Sequence, residues 1–286
     1  MAKRRRKKRR IRIGRILILM IAAFLLIGLF FAGIRAVLSL FAREEEEPVA
    51  EAEPTPTEDP IYKNDLDWQY LSYNDGYYSY EDENYTSSFG IDVSYFQGEI
   101  DWQKVKAAGV EFAFIRAGYR GSTTGELHED TCFRAHMEGA VNAGIEVGVY
   151  FFSQAVSPEE ATEEAGYLLS LIQNYPVTEC AFDFEVSGED DRGAVNDSIM
   201  NTEAAAAFCQ KIRESGYTPL VYGSTSFLYH GISMYQLQDS TNFWIAAYGK
   251  ETPEFPYAFE IWQYSGQGKV DGIETDVDLN LRIRKK

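Results

Sequence analysis

The chain has 286 residues, 44 acidic and 27 basic side chains, a formal net charge of −17 and three cysteines. With 45% hydrophobic residues it is long enough to bury a sizeable core, and its acidity excludes nucleic acid as a partner held by bulk charge. Cys132, Cys180 and Cys209 are odd in number and widely spaced. They signal neither a disulfide framework nor a zinc pattern and read as small core residues, although an extracellular setting would permit one disulfide.

Charge is distributed unevenly. Residues 1–43 hold 12 of the 27 bases and none of the 44 acids, which leaves 15 bases against 44 acids from Glu44 onward. The basic stretch 1–15 runs into an almost unbroken apolar segment from Ile16 to Ile34, and further apolar residues extend it to Ala42. Such a segment can span a bilayer core of about 30 Å and exceeds the roughly 7–15 apolar residues of a cleaved signal peptide. Bases on its N-terminal side place that end in the cytoplasm. The expectation is a cytoplasmic tail over 1–15, a transmembrane helix over 16–42 and an extracellular remainder facing the cell wall, held at the cell membrane by one span.

Residues 43–88 are expected to form a linker. Glu44–Pro60 is acidic and Pro-bearing, with too little apolar surface to fold. Residues 61–88 instead set eight aromatic side chains among Asp, Asn and Ser, a composition that fits docking on the folded domain, on a glycan, or a merely sticky tether.

From Phe89 to the end, apolar strands alternate with amphipathic helices. Strands are expected at 89–95, 112–119, 146–152, 180–186, 219–223, 243–248, 260–264 and 277–283, and helices at 101–108, 128–143, 158–174, 201–215 and 224–238. Gly109, Gly144 and Gly216 stand just past three of these helices, where a left-handed cap is expected. Near-continuous apolar strands alternating with helices imply a parallel sheet covered by helices, and eight strands suggest closure into a TIM-like α/β barrel with about five helices over residues 89–286. A doubly wound open sheet is the alternative, but no Gly-rich phosphate loop follows the first strand.

The fourth strand, Cys180-Ala-Phe-Asp-Phe-Glu-Val186, carries two carboxylates two residues apart, and alternation points Asp183 and Glu185 to the same face. Two acids sharing an apolar surface push one pKa upward, so one carboxyl stays neutral while the other ionises, as glycosidases require. The same pair also fits a solvent-facing edge strand or a satisfied buried pair. In a barrel, Asp92 on the first strand and Asp278 on the eighth would be neighbours facing that pair across the mouth. Aromatic and polar residues fall at similar strand ends: Tyr119, Tyr150, Tyr222, Trp244, Tyr248, Trp262 and Gln263. Flat rings beside hydrogen-bonding groups suit sugars, whose C–H faces pack while their hydroxyls seek partners.

These segments, in this order, resemble the glycoside hydrolase family 25 lysozymes. The resemblance rests on Gly90-Ile-Asp-Val-Ser94, Gln97-Gly98, Ile100-Asp-Trp102, Phe114-Ile-Arg-Ala-Gly-Tyr119, Gly148-Val-Tyr-Phe-Phe152 and Asp183-Phe-Glu185. It continues through Pro219-Leu-Val-Tyr222, Phe243-Trp-Ile-Ala-Ala-Tyr248, Ile261-Trp-Gln-Tyr264 and Val277-Asp-Leu-Asn280. It implies a barrel of eight strands and five helices that cleaves the β-1,4 bond between N-acetylmuramic acid and N-acetylglucosamine in peptidoglycan glycan strands, without a cofactor or metal. It makes Glu185 the general acid and base, with Asp92, Asp183 and Asp278 as supporting carboxylates. Asp276 also stands near the last strand, but the Val-Asp-Leu-Asn context favours Asp278.

An Asp two residues before the acid is placed to hold the N–H of the sugar's 2-acetamido group. The expected mechanism is therefore substrate-assisted, with direct attack by an aspartate or inversion through water as alternatives. Two other functions remain open at this stage. One is a metal-dependent carbohydrate hydrolase or deacetylase using the same carboxylates, against which His128, His136 and His230 all fall outside strand ends. The other is a glycan-binding module without chemistry, which the presence of Glu185 disfavours.

Overall fold

Eight strands close on themselves in the computed structural model, which describes residues 61–286 apart from Ser187 and Glu189. The strands of the ring are β3 (Tyr85–Val93), β4 (Phe112–Arg120), β6 (Glu146–Ser153), β7 (Glu179–Phe184), β8 (Thr218–Ser224), β9 (Asn242–Ala246), β10 (Ile261–Gly268) and β11 (Val277–Lys285). They pair in that order, and β11 returns to β3. The basic tail, the expected span at 16–42 and the acidic spacer lie outside the described residues; among those described, no helix is long and apolar enough to cross a membrane.

The barrel is mixed rather than all-parallel. β3 to β10 run in parallel, whereas β11 is antiparallel to both β10 and β3. Only residues 269–276 join β10 to β11. A parallel crossover needs about a dozen residues or more, so this connection can only turn back.

Alternation sorts the barrel wall into two faces. Phe112, Phe114, Ala181, Leu220, Tyr222 and Trp244 form a cluster inside the ring. Their neighbours Ala113, Ile115, Cys180, Phe182, Val221 and Phe243 pack outward with the helices. The interior is filled because Gly90 and Gly148 carry no side chain: a Cβ there would lie 2.3 Å from the Phe112 ring and 2.6 Å from the Phe114 ring.

The helices are α1 (Trp102–Ala107), α2 (Phe133–Asn142), α3 (Pro158–Ile172), α4 (Ser198–Glu214), α5 (Thr225–His230) and α6 (Met234–Leu237). The helix expected at 224–238 is two short ones because α4 claims the backbone between them. Asn201 Nδ2 donates to the Gly231 carbonyl at 3.1 Å and the Thr202 hydroxyl accepts from Ser233 N–H at 2.8 Å. The helix expected from His128 starts only at Phe133, since β5 (Leu127–Glu129) pairs antiparallel with β4 instead.

Residues 61–88 are folded, which corrects the linker boundary at 88. β1 (Leu71–Asn74) and β2 (Tyr77–Tyr80) form a hairpin across Asp75-Gly76. Both turn residues have positive φ, 52° and 93°, the conformation of a tight primed turn. Tyr80 is 1% exposed, and its hydroxyl donates to Asp82 at 2.6 Å while accepting from Asp67 N–H at 3.0 Å. Trp68 packs against Tyr80, Phe259 and Trp262, which fastens the segment to the outer wall of the barrel. The Asp-Gly dipeptide between alternating tyrosines was the sequence signal for this hairpin.

The N-terminal end of the barrel is closed by an ion network. Arg282 places Nη1 2.7 Å from Glu146 and 3.1 Å from Glu179, and its guanidinium lies 4.2 Å above the Phe112 ring. Arg284 reaches Glu179 and Glu260.

Candidate active site

Four carboxylates meet at the opposite, C-terminal end. Asp92 and Asp278 are register partners on β3 and β11. Asp183 is the last inward residue of β7, after Ala181. Glu185 follows the end of that strand and stands exposed at the opening. All four line one cavity of about 250 Å3. The Gln154 side chain fixes the chain at this point by donating to the Glu185 carbonyl at 2.6 Å. Gln154 is itself held beneath a buried lattice of charges in which Arg192 makes two 2.8 Å contacts to Glu160, and Arg120 lies 2.7 Å from Glu164. Burial raises the Glu164 carboxyl to about 7 despite these partners.

Donors converge on one oxygen of Asp92. Gln263 Nε2 and Asn280 Nδ2 donate to Oδ2 at 2.8 and 2.7 Å. Behind them, Trp244 Nε1 donates to Asn280 Oδ1 at 2.8 Å, while the Tyr222 and Tyr248 hydroxyls donate to Gln263 Oε1. Indole, amides and phenols thus form one polarised network that ends on a carboxylate.

Among the described residues no arginine forms an ion pair with these carboxyls, and burial dominates. Asp92 is raised well above the usual carboxylate range by burial and then by the charge of Asp278, against the two amide bonds that favour its ionised form. Asp183 is raised by burial, by the charges of Glu185 and Asp92, and by donating a hydrogen bond to Glu185. Although the Glu185 residue is exposed at the rim, its carboxyl turns into the cavity, where the surrounding wall raises it while the bond from Asp183 pulls it down. Asp278 rises to about 6 through burial and the charge of Glu185. Within the pair Asp183 donates a hydrogen bond to Glu185, and among the described residues the other Asp183 oxygen, Oδ1, is buried without a partner.

Of the remaining positions singled out from sequence, Tyr150, Tyr222, Trp244, Tyr248 and Gln263 line the cavity. Trp262 and Tyr119 do not, and both are corrections. Trp262 precedes the inward Gln263, so alternation turns it outward, where it packs against Tyr78 and Tyr264 and donates to the Ala247 carbonyl at 2.9 Å. On β4 the inward positions run Phe112, Phe114 and Arg116; Tyr119 pairs with His128 of β5, and their rings stack at 5.0 Å.

Arg116 and Asn280 escaped the sequence reading. Arg116 lines the cavity with Nε 2.8 Å from Asp130, and Tyr95 and Phe96 lie against its guanidinium. Asn280 sits two residues beyond Asp278, so its shared face was legible from spacing alone.

The model of the glycosyl hydrolases family 25 matches residues 91–273, well over half of the chain. The chain belongs to that family. It is 30% identical over 192 residues to the autolytic lysozyme of Clostridium acetobutylicum, covering 67% of this chain and 54% of that protein. It is also 30% identical over 203 residues to lysozyme M1 of Streptomyces globisporus, covering 67% of this chain and 66% of that one. This chain thus matches only about half to two thirds of the length of these relatives. Among solved structures, the bacterial lysozyme of Streptomyces coelicolor superposes with a TM-score of 0.56 at 28% identity, over 68% of this chain and 90% of that one. The autolysin LytC of Streptococcus pneumoniae, solved with a synthetic peptidoglycan ligand, shares the fold with a TM-score of 0.62 at 24% identity, over 74% of this chain and 51% of that one.

Proposed function

We propose that this family 25 hydrolase is a muramidase that cleaves the β-1,4 bond between N-acetylmuramic acid and N-acetylglucosamine in peptidoglycan, with assistance from the substrate's own acetamido group. The observation that carries the mechanism is the Asp183–Glu185 pair: a hydrogen bond from Asp183 to Glu185, which on this reading places one shared proton between them, and one Asp183 oxygen buried with no partner. That oxygen is an acceptor awaiting a donor, which the acetamido N–H supplies. When Asp183 turns its charge to that group, the shared proton resides on Glu185, which delivers it to the leaving glycosidic oxygen. The acetamido oxygen attacks the anomeric carbon as the bond to the leaving oxygen breaks. An oxazolinium ion forms beside ionised Asp183, and water activated by the now basic Glu185 opens it. Asp92 and Asp278 hold the substrate, and their crowding against Glu185 tunes its pKa.

Mass spectrometry of fragments released from purified peptidoglycan tests the reaction, because new reducing muramic acid ends identify the bond cut. Material de-N-acetylated at muramic acid tests the mechanism. Undiminished cleavage of it would reject substrate assistance and leave the muramidase reading standing.

We read residues 16–42 as a single membrane span that tethers the barrel outside the cell, on the strength of the apolar run and the bases before it. Protease added to intact protoplasts should then digest the barrel and spare the basic tail. A protected barrel would overturn this topology.

A further inference from the structure

Outside the catalytic cavity, a groove of about 700 Å3 lies on the outer side of the β10–β11 wall. One side of it is the hairpin β1–β2, which precedes the residues matched to the family, 91–273. The other side is formed by residues 249–251 after β9 and by the upper half of β10.

Three properties make the groove a built surface. First, its tyrosines are held in place. The Tyr77 hydroxyl donates to the Lys269 carbonyl at 3.2 Å and the Tyr78 hydroxyl to the Lys250 carbonyl at 3.3 Å, so the hairpin is clamped to both loops. Tyr73 packs on Tyr78 at 4.6 Å between centroids and is nevertheless 59% exposed, which leaves it free to meet a ligand. Second, Tyr264, only 6% exposed, lines the groove with a hydroxyl that has no hydrogen-bond partner; the Tyr78 backbone stands near it without bonding geometry. That oxygen is closed to solvent behind the Tyr78 backbone, so a polar ligand in the groove completes it only when the wall beside Tyr78 shifts. Third, the groove begins where the catalytic cavity ends. Tyr248 lines the inner cavity and Gly249 the outer groove; Gln263 and Tyr264, and Asp278 and Leu279, divide in the same way. The rim between them at Gly266 has no side chain, and a Cβ built there would lie 3.2 Å from Asp278 Oδ1.

We infer that this groove is a secondary binding site for saccharide rings of the glycan strand whose reacting bond lies in the catalytic cavity, an inference that rests on the muramidase reading. Rings with hydroxyls at their edges match sugars, whose C–H faces stack on tyrosine while their hydroxyls bond to polar groups. An acidic peptide stem is a poorer match, because the two lysines on the wall are already paired: Lys250 with Glu254 at 2.7 Å and Lys269 with Asp276 at 2.6 Å. The strand passes over the rim at Gly266, lays its face on Tyr73 and meets the Tyr264 hydroxyl below.

The test uses the full chain with Tyr73→Ala, Tyr264→Phe or neither. Binding is measured in the Glu185→Gln background to peptide-free glycan strands, long and short, and kcat and KM are measured in the active background. Expected is a loss of about fivefold to tenfold in affinity for long strands with Tyr73→Ala, a smaller loss with Tyr264→Phe, and a raised KM at unchanged kcat. A substrate of one disaccharide repeat on each side of the cut should respond to neither change. Equal losses on short and long strands, no loss on long ones, or binding that requires the peptide stems would each overturn the groove. If the parent enzyme releases no fragments while long strands still bind through Tyr73, the catalytic reading fails and the groove stands.

Discussion

The two ends of the barrel give their acids different partners. At the N-terminal end, Glu146, Glu179 and Glu260 face Arg282 and Arg284; the Arg282 bonds hold the exposed Glu146 carboxyl below its usual range, while burial and the Glu260 charge raise buried Glu179 against both arginines. At the C-terminal end, Asp92, Asp183, Glu185 and Asp278 crowd together and all are raised. The cation lining that cavity, Arg116, is engaged by Asp130. Paired charges close one end and hold the ring together; unpaired acids at the other keep protons that can be transferred. The difference shows where this fold gives up stability for chemistry.

The sharpest way to separate the ends is Glu185→Gln, which keeps shape and removes the transferable proton. Hydrolysis should fall by about 10²–10⁴ with little change in melting temperature. Near-parent turnover in this variant would remove Glu185 from the mechanism.

Arg282→Leu should do the reverse. Removing one of the two arginines that hold Glu179 leaves Arg284 to serve Glu146, Glu179 and Glu260, and is expected to lower stability by about 2–3 kcal/mol, about 5–10 °C in melting temperature, while the folded enzyme keeps its kcat. An unchanged melting temperature would show that the floor network is not structural.

At the mouth, Asp183→Asn should raise stability while abolishing activity. The folded-state pKa of Asp183 lies above its unfolded value, so its contribution is intact at low pH and is lost as pH rises through the folded value. Asparagine escapes that loss. The variant should gain about 1–2 kcal/mol near pH 8, and the gain should vanish near pH 4. A gain of equal size at both pH values would point to packing instead of protonation.

The smallest effect concerns Asp278, whose carboxyl titrates at about 6. The Glu185 charge raises Asp278, and repulsion between two carboxyls is mutual, so Asp278→Asn should move the alkaline limb of the rate profile downward by about 0.5 pH unit. A limb that stays in place would show that the two groups are not coupled in the substrate complex.

Much of the site was legible before the fold. Asp183 and Glu185 stood out because a period of two forces both onto one face, and Asp92 and Asp278 because first and last strands of a closed barrel must meet. Trp262 was misassigned by the same rule applied too loosely, since adjacent strand residues cannot both point inward. The Tyr-rich segment was read as linker because composition weighs polarity over 28 residues, whereas one Asp-Gly turn and one buried Tyr80 decide that it folds.

From sequence alone came the eight ring strands, the four carboxylates and the family, because alternation and motif order are local properties of the chain. The tertiary structure alone decided that Gln263 and Asn280 aim their amides at Asp92, that Arg282 meets Glu179 in the floor, and that Arg116 at the mouth spends its charge on buried Asp130. Those depend on which side chains distant segments bring within bonding distance, and no local pattern encodes that separation.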